Sequence, residues 1–390
     1  MRSDTWETVL LGQLCTLTKG SSPTQKTLPG DYPLIVTGPE PLSSADYEFE
    51  GEAVCVPMVS STGHGHASLK RVHYASGRFA VANIVTACEV RNPAVCSTRF
   101  LHIYLQHYKD DLIVPRMKGT ANVSLSLREL AQIPVRLPRV REQLRIVDLI
   151  GAVDDAIDSA DIETASIKSA AATLRRMIFD ELMNTFPEST AGQLFEVTLG
   201  RQKSARQLHG DNEIPYIRAA NISDGSLSLS DVQSMNFSPE EQSKYGLYDG
   251  DVLVVEGGSI GQTAIWRGEV QGPVGFDKHV LRIRGLKDTS TSLYANQWAR
   301  WCYETGRFEA QARGVTIKAL GFQRAKAMAV PSAPFARQIE VAELLSSADA
   351  AAEFSLESAN SLRTLRAELL STLLSGTHRI PETYDGLAEV

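Results

Sequence analysis

The chain has 390 residues, 43% of them hydrophobic, with 46 acidic against 39 basic side chains and a net charge of −7. That length gives room for two or three domains, each able to build its own core. The acidic balance speaks against a protein that coats nucleic acid with its whole surface, and says nothing about local basic patches.

In chain order, "MRSDTWETVLLGQL" opens without a basic segment leading into an apolar one, which argues against export. No run of about 18 apolar residues follows, so no membrane span is expected. The five cysteines, Cys15, Cys55, Cys88, Cys96 and Cys302, form no C-x-x-C pair. They read as reduced, buried thiols of a cytoplasmic protein. Residues 1–139 hold glycine-punctuated apolar runs, "AVCVPMVS" and "RFAVANIVTACEV", then a helical spacing in "FLHIYLQHYKDDLI". Short strands with turns between them predict a mixed α+β domain with a strongly bent sheet. After a glycine turn at Gly119 and two prolines, Pro134 and Pro138, a long helix is expected over 140–185. Its seam is Ile146, Ile150, Val153, Ile157, Ala160, Thr164, Ile167, Ala171, Leu174, Ile178 and Leu182. These positions step by four and three, as a coiled coil requires.

The pattern then starts again. Residues 186–335 form a second β-rich part, with "GDVLVVEGG", "GQTAIWRG", "KHVLRIRG" and the helix-like "LYANQWARWCYETGRFEAQA". A second long helix is expected over 336–376, capped by Gly376, with a tail at 377–390. Its seam reads Val341, Leu345, Ala348, Ala352, Ser355, Ser358, Leu362, Leu365, Leu369 and Leu373. Gly119 and Gly314, Val135 and Val330, Gln143 and Gln338, and Asp154 and Asp349 all stand 195 residues apart, and "GQL" at Gly12–Leu14 recurs at Gly192–Leu194. The chain is a duplicated domain pair. The second seam reads like the first with a four-residue piece, about one turn, missing from its middle. Each helix is expected to be roughly 55–65 Å long. Two such helices in one chain most simply bury their seams against each other.

Catalytic patterns are scarce. There is no phosphate loop; "EGGSIGQ" at Glu256–Gln262 lacks the lysine and reads as a tight turn between strands. "GHGH" at Gly63–His66, with His73 nearby, lacks the further ligands a zinc site needs and reads as a polar loop able to contact a ligand. G-x-S-x-G occurs only inside the Glu256–Gln262 turn, at Gly257–Gly261, and is not read as a nucleophile elbow; H-E-x-x-H does not occur, and "RNPAV" at Arg91–Val95 lacks the aromatic that would stack a flipped base. No catalytic or metal-binding residue is assigned.

Cationic residues do gather. Arg116, Lys118, Arg128, Arg136, Arg139, Arg141 and Arg145 face only Glu129 and Glu142; Arg300, Arg307, Arg313, Lys318, Arg324 and Lys326 face only Glu304 and Glu309. Two local patches on an acidic chain fit phosphate neutralisation at two places on DNA; an ordinary solvated face is the plainer reading. Glycine turns carrying Ser, Thr, Asn or Lys could bring polar tips to base edges. The candidate DNA-binding residues are Arg116, Lys118, Thr120, Asn122, Arg218, Asn221, Ser259, Lys278, His279, Arg313, Thr316 and Lys318.

The repeat, the junction "IPVRLPRVREQLRIVDLIGAVDDAID" and "EGGSIGQTAIWRGEVQGPVGFDKHVLRIR" resemble the specificity subunit of a type I restriction-modification system, over almost the whole chain. The junction is the more specific match: a proline pair, Glu142-Gln143, then Ile146-Val147 entering a long helix. Its second copy, "PSAPFARQIEVAELL", keeps only Gln338 of the Glu-Gln pair. The resemblance implies two target recognition domains, each reading half of a split double-stranded DNA site. It implies that the two helices form an antiparallel coiled coil in a pseudo-twofold repeat, set the gap and dock two methyltransferase subunits. Those subunits would carry S-adenosylmethionine and methylate adenine, and restriction subunits would add ATP- and Mg-dependent translocation and cleavage. None of that chemistry would lie in this chain. Two rival readings remain: a protein–protein scaffold with two binding modules on a coiled coil, and an enzyme centred on the "GHGH" loop.

Overall fold

The computed structural model describes residues 6–62, 65–120, 122–202, 209–314 and 318–386. It divides into two compact units, Met1–Ser159 with Ala359–Val390, and Ala160–Ser358. Each unit holds one globular domain and part of each long helix.

In the first unit six strands form one sheet, in the order Cys15–Lys19, Val85–Val90, Phe49–Pro57, His73–Val81, Tyr32–Ile35, Leu42–Ser44. All neighbours are antiparallel except Tyr32–Ile35, which runs parallel to His73–Val81. The run "AVCVP" is apolar throughout because both faces of its strand are covered. Val54 and Val56 point into the core formed with the helix Thr98–His107, while Ala53 and Cys55 point into a second core with Phe49 and Phe79. That is the two-residue period of a pleated strand. All five cysteines are buried and free. Burial alone pushes the Cys96 thiol up to about 12.

The second unit repeats the plan. Phe195–Leu199, Val280–Gly285, Val252–Val255 and Thr263–Ile265 form a four-stranded sheet. Val252 and Val254 face the core beneath the helix Ser292–Glu304, and Leu253 and Val255 face the other way. The place of the first domain's long strand His73–Val81 is shared by two short ones, Thr263–Ile265 and Gly275–Phe276.

The long helices are Val140–Thr185 and Phe335–Ser375, 46 and 41 residues, hence about 69 and 62 Å. The first has the expected bounds, 140–185, and its 46 residues make it slightly longer than the roughly 55–65 Å expected. Within each unit they pack antiparallel. In the first unit Ile146 and Ile150 share a core with Leu370, Leu373 and Leu374, and both guanidinium edges of Arg366 bond Asp154, Nη2 at 2.9 Å. In the second, Ile178, Phe179 and Leu182 share a core with Val341, Ala342 and Leu345, and the Thr164 and Ser355 hydroxyls lie 2.8 Å apart.

The second seam departs from the sequence reading after Ser355. Ser358 and Leu365 are exposed, Leu365 by 45%, while Ala359 is buried and Arg366 half-buried. The seam therefore runs 352, 355, 359, 362, 366, 369, 373, an unbroken alternation of three and four. No turn is missing from the middle. The two helices stay 195 residues apart in register, and the shorter one simply ends sooner, at Gly376 with φ +75°. The error came from favouring an apolar residue over a charged one: Arg366 sits on the seam because Asp154 neutralises it.

The repeated junction has a specific job. Gln143 is fully buried; its amide donates to the Val95 and Pro138 carbonyls, both at 2.9 Å, and its oxygen accepts from the Ser97 amide at 2.8 Å. Gln338 donates to Thr289 and Ala333 carbonyls at 3.2 and 2.9 Å and accepts from the Ser290 hydroxyl at 2.6 Å. In both units one glutamine ties the start of a long helix to the entry of the domain's own helix, at the cap Ser97 in the first and just before the cap Thr291 in the second. The glutamate before it is dispensable to this lock, which explains why the second copy lacks it.

Candidate nucleic-acid interface

The glycine turn is a hairpin in both domains. Lys118 bridges Ser124, and Arg313 bridges Ala319. Gly119 and Gly314 follow the first bridging residue with φ +139° and +137°. These angles suit glycine, and a Cβ on Gly119 would lie 2.2 Å from the Asn122 carbonyl oxygen.

Each hairpin leans on the loop that leaves a central strand. In the first domain Val59 bridges Ser124, and the Ser60 amide donates to the Val123 carbonyl at 2.9 Å. This loop carries a hydroxyl cluster, with Thr62 and Ser68 oxygens 2.8 Å apart and Ser60 donating to the His66 carbonyl at 2.6 Å. In the second domain Gly257 bridges Ala319, the Gly321 amide donates to the Glu256 carboxylate at 3.0 Å, and the Glu256 amide donates to the His279 carbonyl at 2.8 Å. The Lys278 amide donates to the Arg201 carbonyl, and the Asp277 amide to the Ile217 carbonyl. "EGGSIGQ" is the turn joining Val252–Val255 to Thr263–Ile265.

The structure thus gathers many of the candidate residues into one loop cluster per domain. Thr120 and Asn122 are exposed near the first hairpin's tip. Lys118 is exposed and pairs with Glu129 at 2.7 Å, which holds that carboxyl below its usual range. Arg116 lies beside the hairpin with Nη1 donating to the Leu112 carbonyl at 2.5 Å. In the second domain Ser259 and His279 are exposed, Lys278 is half-buried, and Arg218, next to Ile217, lies beside the Asp277–His279 turn while bonding Asp231 at 2.7 Å. Arg313 donates to its own chain at Ala310 and Ala312. Lys318 is exposed, 4.0 Å from Glu309. Thr316 lies outside the described residues, as does His64 of the "GHGH" loop.

Asn221 must be reassigned. It is only 2% exposed; its oxygen accepts from the Arg218 amide at 3.0 Å, and its nitrogen donates to the Ser228 and Asp231 carbonyls. Its amide holds a turn and is not offered to a ligand. The basic runs also separate. Arg136 stacks on Trp6, Arg145 pairs with Asp385 at 2.6 Å, and Arg300 pairs with Asp349 at 2.8 Å. Arg324 donates to Leu320 and Ala319 carbonyls and so supports the second hairpin's base. Sequence reading did not assign the Ser60–Ser68 hydroxyls to the site; the polar loop was visible, but its bridge to Ser124 joins residues far apart in sequence.

The described residues hold no group of three or more His, Cys, Asp or Glu able to bind a metal, and no helix among them is long and apolar enough to cross a membrane. The loops present hydroxyls, amides and cations on glycine-built turns, a set suited to hydrogen bonding and phosphate contact.

Residues 3–168 match the family model of the type I restriction modification DNA specificity domain. A Haemophilus influenzae protein assigned as a type I restriction enzyme specificity subunit is 23% identical over 306 residues, 77% of this chain and 75% of the relative. The fold is similar to that of the S subunit of a type I restriction-modification system from M. genitalium, with TM-score 0.58, 15% identity and coverage of 96% and 97% of the two chains. A chain from a structural study of complex assembly and conformational transition of the type I R-M system gives 0.57, 14%, and 95% and 98%. Both likenesses concern the fold. The fold class is therefore two α+β domains carried on a pair of long helices. The chain is similar to the specificity subunits of type I restriction-modification systems, and its residues 3–168 match their DNA specificity domain.

Proposed function

We propose that this chain reads a split DNA sequence, one half with each loop cluster, and has no catalytic centre of its own. The observation that carries this reading is the hairpin built twice, with the same glycine geometry and the same bridge to a neighbouring loop, but with different residues at its tip. A shared frame with divergent tips is what two different half-sites require. Exposed Lys118, Lys318 and His279 offer charge and hydrogen bonds to phosphates and base edges. The paired helices set the gap and dock two methyltransferase subunits; exposed Ile162, Met177 and Phe354 support docking. S-adenosylmethionine, ATP and Mg belong to those subunits and to restriction subunits, in the cytoplasm.

The test replaces residues 1–139 with the same region of a relative and sequences the methylated sites made with the partner methyltransferase. One half of the motif should change and the other stay. A change in both halves would overturn the modular reading.

A further inference from the structure

The common plan of the two domains allows a residue-by-residue comparison at one place where they differ. Val54 pairs with Tyr74 and Cys88, and Val252 pairs with Ile265 and Ile283. Tyr74 and Ile265 therefore hold the same position. Counting from the helix caps Ser97 and Thr291, Arg99, His102 and Gln106 stand where Leu293, Asn296 and Arg300 stand.

The first domain fills this place with its own side chains. The Tyr74 and His102 rings lie 6.0 Å apart, the Arg99 guanidinium sits 5.1 Å from the Tyr74 ring, and the Tyr74 hydroxyl donates to Glu52 at 2.8 Å. Gln106 accepts from the Val72 amide at 2.7 Å, and His102 lies 3.1 Å from the Val72 carbonyl.

The second domain leaves the place open. Ile265, Leu293, Asn296, Arg300 and Glu353 line a cavity of about 190 Å³. One polar group beside it is buried with no partner among the described residues, the Nε of Arg300, and Asn296, only 6% exposed, turns its polar edge to the same wall. The charge of Arg300 is already balanced by Asp349, so the wall lacks an acceptor and not a counter-ion. An unpaired buried donor is unfavourable, and a ligand that supplies an acceptor relieves it. Phe354, 72% exposed, follows Glu353 of the cavity lining on the C-terminal helix.

We propose that this cavity is the anchor pocket for a partner protein, and that it receives a tyrosine-like side chain from a subunit docked on the C-terminal helix. The ring takes the place that Tyr74 and His102 fill in the first domain. Its oxygen accepts from Arg300 Nε–H or the Asn296 amide. Aromatic anchors in desolvated pockets carry a large share of binding energy at protein interfaces. The inference rests on the methyltransferase-docking reading above and adds where one of the two docked subunits is gripped.

Ile265→Tyr rebuilds the first domain's filling inside the second. The full-length chain and its methyltransferase partner are compared by titration, with stoichiometry read from the complex mass. The variant should keep its thermal midpoint, bind one of two methyltransferase subunits about thirty-fold more weakly, and load one subunit per chain where the wild type loads two. Asn296→Leu, which keeps the volume and removes the polar edge, should weaken the same site about ten-fold. As a direct probe, p-cresol should raise the midpoint of the wild type and not of Ile265→Tyr. Unchanged partner binding in both folded variants, beside a wild type that binds two subunits, overturns the proposal. A wild type that binds p-cresol but no methyltransferase would overturn the docking reading and with it the protein occupant.

Discussion

In the first unit a half-exposed ion pair, Arg366 with Asp154, joins the two long helices to each other; in the second, Arg175, which is 0% exposed, ties the first long helix both to the second and to the domain's own helix. Arg175 donates to Gln297 at 2.7 Å and Asp349 at 2.5 Å and also bonds Glu304. Beside it Phe179 stacks between Tyr294 and Trp301, at 5.5 and 5.4 Å, and Trp301 donates to Asp180 at 3.2 Å. In the first unit the domain helix instead turns His102 and His107 toward this region, where Arg366 adds to the burial that lowers their proton affinity. The glutamine lock is common to both units and the filling is not. What has to recur is the attachment point; the contact surface around it is free to diverge with the domain.

The largest expected effect follows from the buried arginine. Arg175→Ala removes a fully buried cation from Gln297, Glu304 and Asp349 and leaves Arg300 to face both carboxylates; breaking a buried ion pair in this way typically costs about 3–5 kcal/mol. Arg366→Ala removes a pair open to water and should cost at most about 1 kcal/mol. Urea unfolding of the two variants measures both, and equal losses would erase the contrast between the units.

Acid should separate the units in the opposite sense. His73 is buried, with its Nε2 unpartnered, and burial with Arg71 nearby holds it at about 4. Its folded-state value lies below the ordinary 6.5, so the unfolded chain takes up the proton first. The associated stability is present above about pH 6.5 and is lost as pH falls toward 4, by about 3 kcal/mol at most. His209 and His279 of the second domain are exposed. Hydrogen exchange at pH 7 and pH 5 should show the first domain loosening before the second; simultaneous loosening would contradict this.

The smallest effects belong to the loops. Lys318→Ala or Lys278→Ala should leave folding intact and flatten the salt dependence of DNA binding by about 0.9 in slope for each lost phosphate contact. An unchanged slope would mark that lysine as a surface residue.

What sequence alone revealed tracks how local the physics is. Gly119 and Gly314 mark a backbone geometry that glycine suits, and Gln143 and Gln338 mark a bond to the same junction, so both pairs were visible as exact repeats. The seam was visible while its residues were apolar, and was lost where Arg366 replaced a leucine. Arg175 escaped notice because its partners, Gln297, Glu304 and Asp349, come from two distant segments. Asn221 was misread because an amide in a turn serves its own backbone as readily as a base edge, and only the fold decides between them.

The central claim is that the helix pair sets the distance between two readers. Inserting one heptad into each helix, level with Thr164 and Ser355, keeps both seams in phase and lengthens the pair by about 10 Å, close to three base pairs at about 3.4 Å each. Sequencing the sites methylated by this variant with its partner should show both half-sequences unchanged and a gap about three base pairs longer. An unchanged gap would contradict the claim.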